Sequence, residues 1–163
     1  MAGLPSLGPR GEGWVALQGV LLVALIAAGL LTGPEWSGDV RTATTAFGIA
    51  VISAGLLLAW RGVRDLGSAL TPNPRPRAEA TLIESGIYAR VRHPIYGGIL
   101  VAAAGWALTT AAIPAVALVV VLLGFFTLKS MREEAWLERT FPGYDAYRRR
   151  TRRFIPWSGR SRG

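Results

Sequence analysis

The sequence predicts an all-α integral membrane protein with four transmembrane helices and a C-terminal amphipathic helix. Two observations carry this. Hydrophobic residues make up 51% of the 163 residues and mean hydropathy is +0.35, yet the formal net charge is +8. The apolar residues fall into four runs, and the charges fall between and after them. A soluble core needs neither extreme; a helical bundle with basic cytosolic segments needs both. The length suits one domain spanning residues 1–163.

The first run covers about 14–31 and the second about 42–60. Each has the ~17–25 residues that cross a hydrocarbon core of ~30 Å. Arg10 ahead of the first run is also how a signal peptide begins. The run is long for an h-region, however, and the preceding segment is weakly charged and carries prolines, so it reads as a span. The third run starts near Ile95 and the fourth ends near Leu128. Their flanks, Arg92-His93-Pro94 and Lys129-Ser130-Met131, extend them to spans of about 93–110 and 113–131. A short uncharged link joins the two, which predicts a tight helical hairpin with Pro114 opening its second limb. Backbone groups in lipid must be satisfied within the segment, so all four runs should be helical. Small residues recur in the second (Gly48, Ser53, Gly55) and third (Gly97, Gly98, Ala102, Gly105) and would permit close helix approach.

The connection 61–92 is long and carries six arginines, counting Arg92 at its end. Its proline-punctuated stretch, Thr71 to Pro76, reads as extended chain. The tail 132–163 is more basic still, whereas Gly33 to Arg41 holds Glu35, Asp39 and a single arginine. The positive-inside rule therefore places both termini and the second connection in the cytosol. Helical character should persist from Lys129 to about Phe141, with Leu137, Phe141 and Tyr144 on one face, until Pro142 and Gly143 stop it. The run Arg148 to Arg153 reads as a solvated or lipid-headgroup-contacting tail.

Composition removes several chemistries. Without cysteine there are no disulfides, thiolate metal sites or cysteine nucleophiles, and a single histidine rules out a multi-histidine metal site. The basic balance could serve nucleic acid, but its position directly after an apolar run fits anionic lipid instead. What remains is concentrated in two places: Gly86 to Gly98, where the cytosolic connection enters the third run, and Glu133-Glu134 beyond the fourth. Taken singly, His93 is an ordinary interfacial polar residue, Arg92 a snorkelling anchor and Glu133-Glu134 a solvated helix face. The hairpin, however, brings all of them to one end, and ionisable groups facing a bundle interior point to function.

Arg92-His93-Pro94-Ile95-Tyr96-Gly97-Gly98, followed by Glu133-Glu134, resembles the R-H-P-x-Y-x-G … E-E pattern of the isoprenylcysteine carboxyl methyltransferase family, which is related to the membrane phospholipid methyltransferases. Leu82 to Tyr88 is similar to that family's L-V-x-x-G-x-Y lead-in, and Leu66-Gly67 with Leu70-Thr71-Pro72 to an earlier loop. Phe141, Tyr144, Tyr147, Arg153 and Pro156 are similar to its F-G-x-x-Y-x-x-Y … R … P ending. The likeness covers roughly 60–157. Ile87 departs from the common Pro or Val, Pro142 stands where a glycine is usual, and the first run has no match.

The resemblance implies an S-adenosylmethionine cofactor in a cytoplasmic pocket near the last two helices, and a lipophilic small-molecule or lipid acceptor. It implies cofactor-binding roles for Gly86, Tyr88, His93, Pro94, Tyr96, Gly98 and Glu134, and catalytic roles for Arg92, Glu133 and Glu134. Arg92 would bind or orient an anionic group of the acceptor. No metal and no nucleic acid are expected. The acceptor is expected to be a carboxylate, with an amine or thiol as the alternative. A non-catalytic scaffold of the same fold and a nicotinamide-dependent membrane reductase are the rival classes. The alanine-, glycine- and arginine-rich composition points to a bacterial inner membrane.

Overall fold

The computed structural model describes residues 7–9, 11–70 and 81–156. The described chain is helical, with no strands: α1 (Glu12–Leu31), α2 (Gly38–Leu66), α3 (Pro94–Thr110), α4 (Ile113–Thr140) and α5 (Tyr144–Arg150), plus 3-10 turns at Gly67–Ala69 and Gly86–Ala89. The extended stretch expected at Thr71 to Pro76 lies outside the described residues.

Three helices, α1, α2 and α4, are long and apolar enough to cross a membrane. The 20 residues of α1 span about 30 Å at 1.5 Å per residue. α3 is equally apolar but has 17 residues. The outward faces are greasy: Val23 is 67% exposed and Leu31 84%. Inward, Trp14 and Leu25 of α1 join Leu100, Leu122, Phe125 and Phe126 in the core. Apolar residues inside and outside alike suit a bundle solvated by lipid.

α2 and α3 make the most extensive helix contact. Glycines bring it about. A Cβ added at Gly55 would stand 2.5 Å from the Ala102 nitrogen and 2.6 Å from the Gly98 oxygen. One added at Gly98 would stand 2.5 Å from the Ala59 nitrogen, and one at Gly105 2.6 Å from the Gly48 oxygen. Gly48, Gly55 and Gly62 recur every seventh residue on α2, as Gly98 and Gly105 do on α3. A seven-residue repeat keeps one seam facing the neighbour, so the backbones touch along the whole contact. Ser53 takes no part and bonds within its own helix, to the Ile49 carbonyl at 2.9 Å.

α2 overruns the expected 42–60 at both ends. It starts with Asp39 in its first turn, where a carboxylate suits the helix dipole, and stops at Gly67, whose φ of 52° no other residue adopts easily. The tight α3–α4 hairpin forms as expected, through Ala111 and Ala112, with proline in the first turn of α4. α4 then continues unbroken to Thr140. The expected single face of Leu137, Phe141 and Tyr144 does not form. Phe141 is extended, and Gly143 at φ 90° restarts the chain as the short α5.

The tail differs most from expectation. Residues 151–154 fold back onto the start of α3, where Val91 and Arg152 form a parallel bridge. Arg152 donates its N–H to the Arg90 carbonyl at 2.8 Å, and the Arg152 and Arg153 carbonyls accept from Arg92 at 2.8 Å and His93 at 2.9 Å. Gly97 has no side chain because the Phe154 carbonyl occupies that space. Of the run expected to be solvated, Arg148 and Arg149 do pair on the surface with Glu138 and Asp145, but its C-terminal half is docked.

Candidate active site

The approach to α3 is built on the end of α2. The Asp65 carboxylate accepts the Ile87 N–H at 2.7 Å, and the Tyr88 hydroxyl donates to the Gly62 carbonyl at 3.2 Å. Burial pushes the Tyr88 hydroxyl well above its ordinary value, so it acts as a donor. Tyr147 of α5 clamps the same turn from the other side, donating to the Tyr88 carbonyl at 2.8 Å. Burial holds the Tyr147 hydroxyl up to about 12. Tyr147→Phe would orphan a buried carbonyl, which costs about 1–3 kcal/mol. The expected result is a matching loss in chemical unfolding with α-helix content unchanged.

From this turn the chain delivers Arg92 and His93 to the mouth of the bundle, and Pro94 begins α3. Across from them, Glu134 of α4 is a buried hub, its side chain 4% exposed. Arg92 Nε donates to Glu134 Oε1 at 3.0 Å and His93 Nε2 lies 3.1 Å from the same oxygen. Arg153 reaches the other oxygen at 3.4 Å. Arg92 is further committed: one amino group donates to the carbonyls of Thr151 (2.5 Å) and Arg148 (2.9 Å) and faces the Thr151 hydroxyl at 3.3 Å. The Arg92–Glu134 pair thus ties α3, α4 and the tail together.

Glu133 is set differently. Its side chain is 25% exposed, and one oxygen accepts from the Tyr96 hydroxyl at 2.8 Å, with His93 Nδ1 3.8 Å away. Its second oxygen has no hydrogen bond among the described residues. The His93 and Tyr96 rings stack at 5.4 Å with an interplanar angle of 3°, and Tyr96 stacks in turn on Phe126 at 5.0 Å. Beneath lies Lys129, one turn before Glu133 on α4. Its ammonium is 5.0 Å from the Tyr96 ring centre and donates to the Gln18 amide oxygen of α1 at 2.5 Å. The Tyr144 hydroxyl is buried with no hydrogen-bond partner among the described residues.

The structure therefore brings Arg92, His93, Tyr96, Glu133 and Glu134 together. Pro94 is buried at the helix start, and Gly86 and Tyr88 lie on the α2 side of the same mouth. Gly98 sits apart from the acids, against Gly55 and Ala59 of α2. Reading the sequence missed Asp65, Thr151, Gln18 and Lys129, and left Tyr144 and Arg153 without roles. Lys129 carried a usable signal: a cation at the end of an apolar run, one turn ahead of two acids. Among the described residues no group of three or more His, Asp or Glu side chains is arranged to hold a metal.

The described chain is thus all helical, with a histidine, a tyrosine and two neighbouring carboxylates gathered at one end of the bundle. The chain belongs to the phospholipid methyltransferase family, which it matches over residues 43–143 and which falls within the group of isoprenylcysteine carboxyl methyltransferase-like membrane enzymes. The match takes in α3, α4 and both acids, and leaves α1 and α5 outside. The chain is also similar to the nickel-cobalt-cadmium resistance protein NccN of Alcaligenes xylosoxydans xylosoxydans, at 26% identity over 144 residues. These make up 88% of this chain and 62% of that protein, so the chain spans less than two thirds of its relative's length.

Proposed function

We propose that the chain, as one domain, transfers a methyl group from S-adenosylmethionine to a lipophilic acceptor at the cytoplasmic face of a bacterial inner membrane. The observation that carries this reading is the meeting of His93, Tyr96, Glu133 and Glu134 at one mouth of a bundle that belongs to a methyltransferase family. In this reading α3 is the fourth span, its 17 residues extended by Arg92 and His93 into the headgroups, and both termini lie in the cytosol.

The residues present fit such a donor. Glu133 has a free carboxylate oxygen suited to an ammonium or ribose hydroxyl, and the unpartnered Tyr144 hydroxyl is a second polar group in want of a ligand. When bound, the sulfonium donor supplies a methyl group that is already activated, so neither metal nor covalent nucleophile is required. The protein's task is positioning, worth up to ~7–11 kcal/mol, in a site poor in water. Arg92, with its Nε and one amino group held by protein acceptors, serves as a positioning residue for Glu134.

Calorimetry in detergent tests this. S-adenosylhomocysteine should bind, and His93→Ala and Glu133→Gln should each weaken it by roughly tenfold or more. Arg150→Ala, which removes an exposed pair with Glu84 and a contact over the outer side of the Tyr147 ring, should leave binding unchanged. Absence of binding, or equal damage from the Arg150 variant, would overturn the reading. Membranes fed methyl-labelled donor should yield base-labile label if the acceptor is a carboxylate; base-stable label would instead support an amine or thiol.

A further inference from the structure

The groups that would hold a water-soluble donor are mostly covered. Of the ion-paired side chains at the mouth, Arg92, His93 and Glu134 are at most 9% exposed, whereas Glu133 is 25% and Arg153 32% exposed. The Tyr144 hydroxyl is buried as well. A polar molecule arriving from the cytosol reaches His93 and Glu134 only if part of the protein moves aside.

The chain over the site is held in two different ways. α5 is fastened by side chains: Tyr144 and Tyr147 are buried, Tyr147 donates to the Tyr88 carbonyl, and the buried Thr151 hydroxyl donates to the Tyr147 carbonyl at 2.7 Å. The Arg92 guanidinium holds the Arg148 and Thr151 carbonyls, on this same fastened side. Past Thr151 the hold changes. Residues 152–154 lie along 90–93 by three backbone hydrogen bonds of 2.8, 2.8 and 2.9 Å. Arg152 is exposed, and Arg153 reaches Glu134 at 3.4 Å. Phe154 is the apolar anchor, partly buried against the core with its ring centre 6.4 Å from that of His93. Segments near a chain end with few buried apolar contacts are the first to open locally. Gly97 makes the docked position possible: the atoms nearest a Cβ added there are all Phe154 backbone, the carbonyl oxygen at 1.8 Å.

We propose that residues 152–154 are a gate, which swings off the start of α3 about the Thr151–Arg152 joint to admit the donor and docks again over it. This rests on the methyltransferase reading and adds how its site is opened. Opening takes Arg153 from Glu134, while Arg92 and His93 keep their contacts with it. The buried carboxylate is therefore not stranded when the gate is open. One of its oxygens is then uncovered on the side from which the donor comes.

Trypsin reads the gate, because residues 152 and 153 are both arginine. Proteases cut chain that has come away from the fold, at a rate set by how often it does so. In detergent the full chain should be cut after Arg152 and Arg153 faster than after Arg148, Arg149 or Arg150 of α5, although the Arg149 side chain is 68% exposed. S-adenosylhomocysteine at ten times its dissociation constant should slow the first two cuts about tenfold by populating the docked form. Gly97→Ala should keep the gate from docking while alanine maintains the helix. Its helix content should match the wild type, and it should release S-adenosylhomocysteine roughly tenfold faster. Arg153→Gln, which leaves α3 untouched, should act in the same direction to a smaller extent. Equal cutting in α5 and past Arg152 overturns the gate and leaves the methyltransferase reading standing. So does S-adenosylhomocysteine binding that leaves the cuts after Arg152 and Arg153 unslowed, or release at the wild-type rate from both variants. Failure of the wild type to bind S-adenosylhomocysteine overturns both.

Discussion

Glu134→Ala should cost about 3–5 kcal/mol of stability and abolish methyl transfer. The carboxylate compensates Arg92, whose side chain is 9% exposed, and contacts His93 and Arg153 as well. Removing it leaves a buried guanidinium without its counter-charge. The effect on the site goes further, because Arg92 also holds the Thr151 and Arg148 carbonyls and so positions the tail. Replacing both Arg92 and Glu134 by leucine should recover part of the stability, since no charge is then stranded, but none of the activity. Denaturant titration together with a labelled-donor assay separates the two. A Glu134→Ala protein of wild-type stability would contradict the hub role.

Gly98→Val should prevent folded protein from accumulating, and Gly98→Ala should cost about 1–3 kcal/mol. The hypothetical Cβ lands 2.5 Å from backbone atoms of α2, which cannot turn aside as a side chain would. The helices would have to separate along the glycine seam, and α2 carries Asp65 and Gly62, the supports of the turn that leads to His93. Damage to packing would therefore reach the site. Gly124→Ala is the control: a Cβ there meets nothing within 4 Å, and alanine favours helix over glycine. Unfolding in mixed micelles should rank the three in that order.

The helices and the meeting of the motif residues could be read in the sequence, and the reason is simple. Long apolar runs permit only helix in lipid, and a short link such as Ala111-Ala112 makes neighbouring helices antiparallel. Once α3 and α4 form a hairpin, His93 and Glu134 must share an end. The small residues of α2 and α3 were legible as a possible contact, but not that glycines seven apart on each helix would face one another. The tail was illegible for a different reason. Its docking uses backbone groups of Arg152 and Arg153, and a backbone hydrogen bond leaves no trace in side-chain identity. The arginines beside it suggested solvent. The pairing of Lys129 with Gln18 joins residues 111 positions apart and has no local pattern at all.

Residues 151–154 are translated after every helix of the bundle, yet they close over Arg92, His93 and Gly97. A chain cut short before residue 151 would keep the glycine seam between α2 and α3 yet lose the carbonyls that accept from Arg92 and His93.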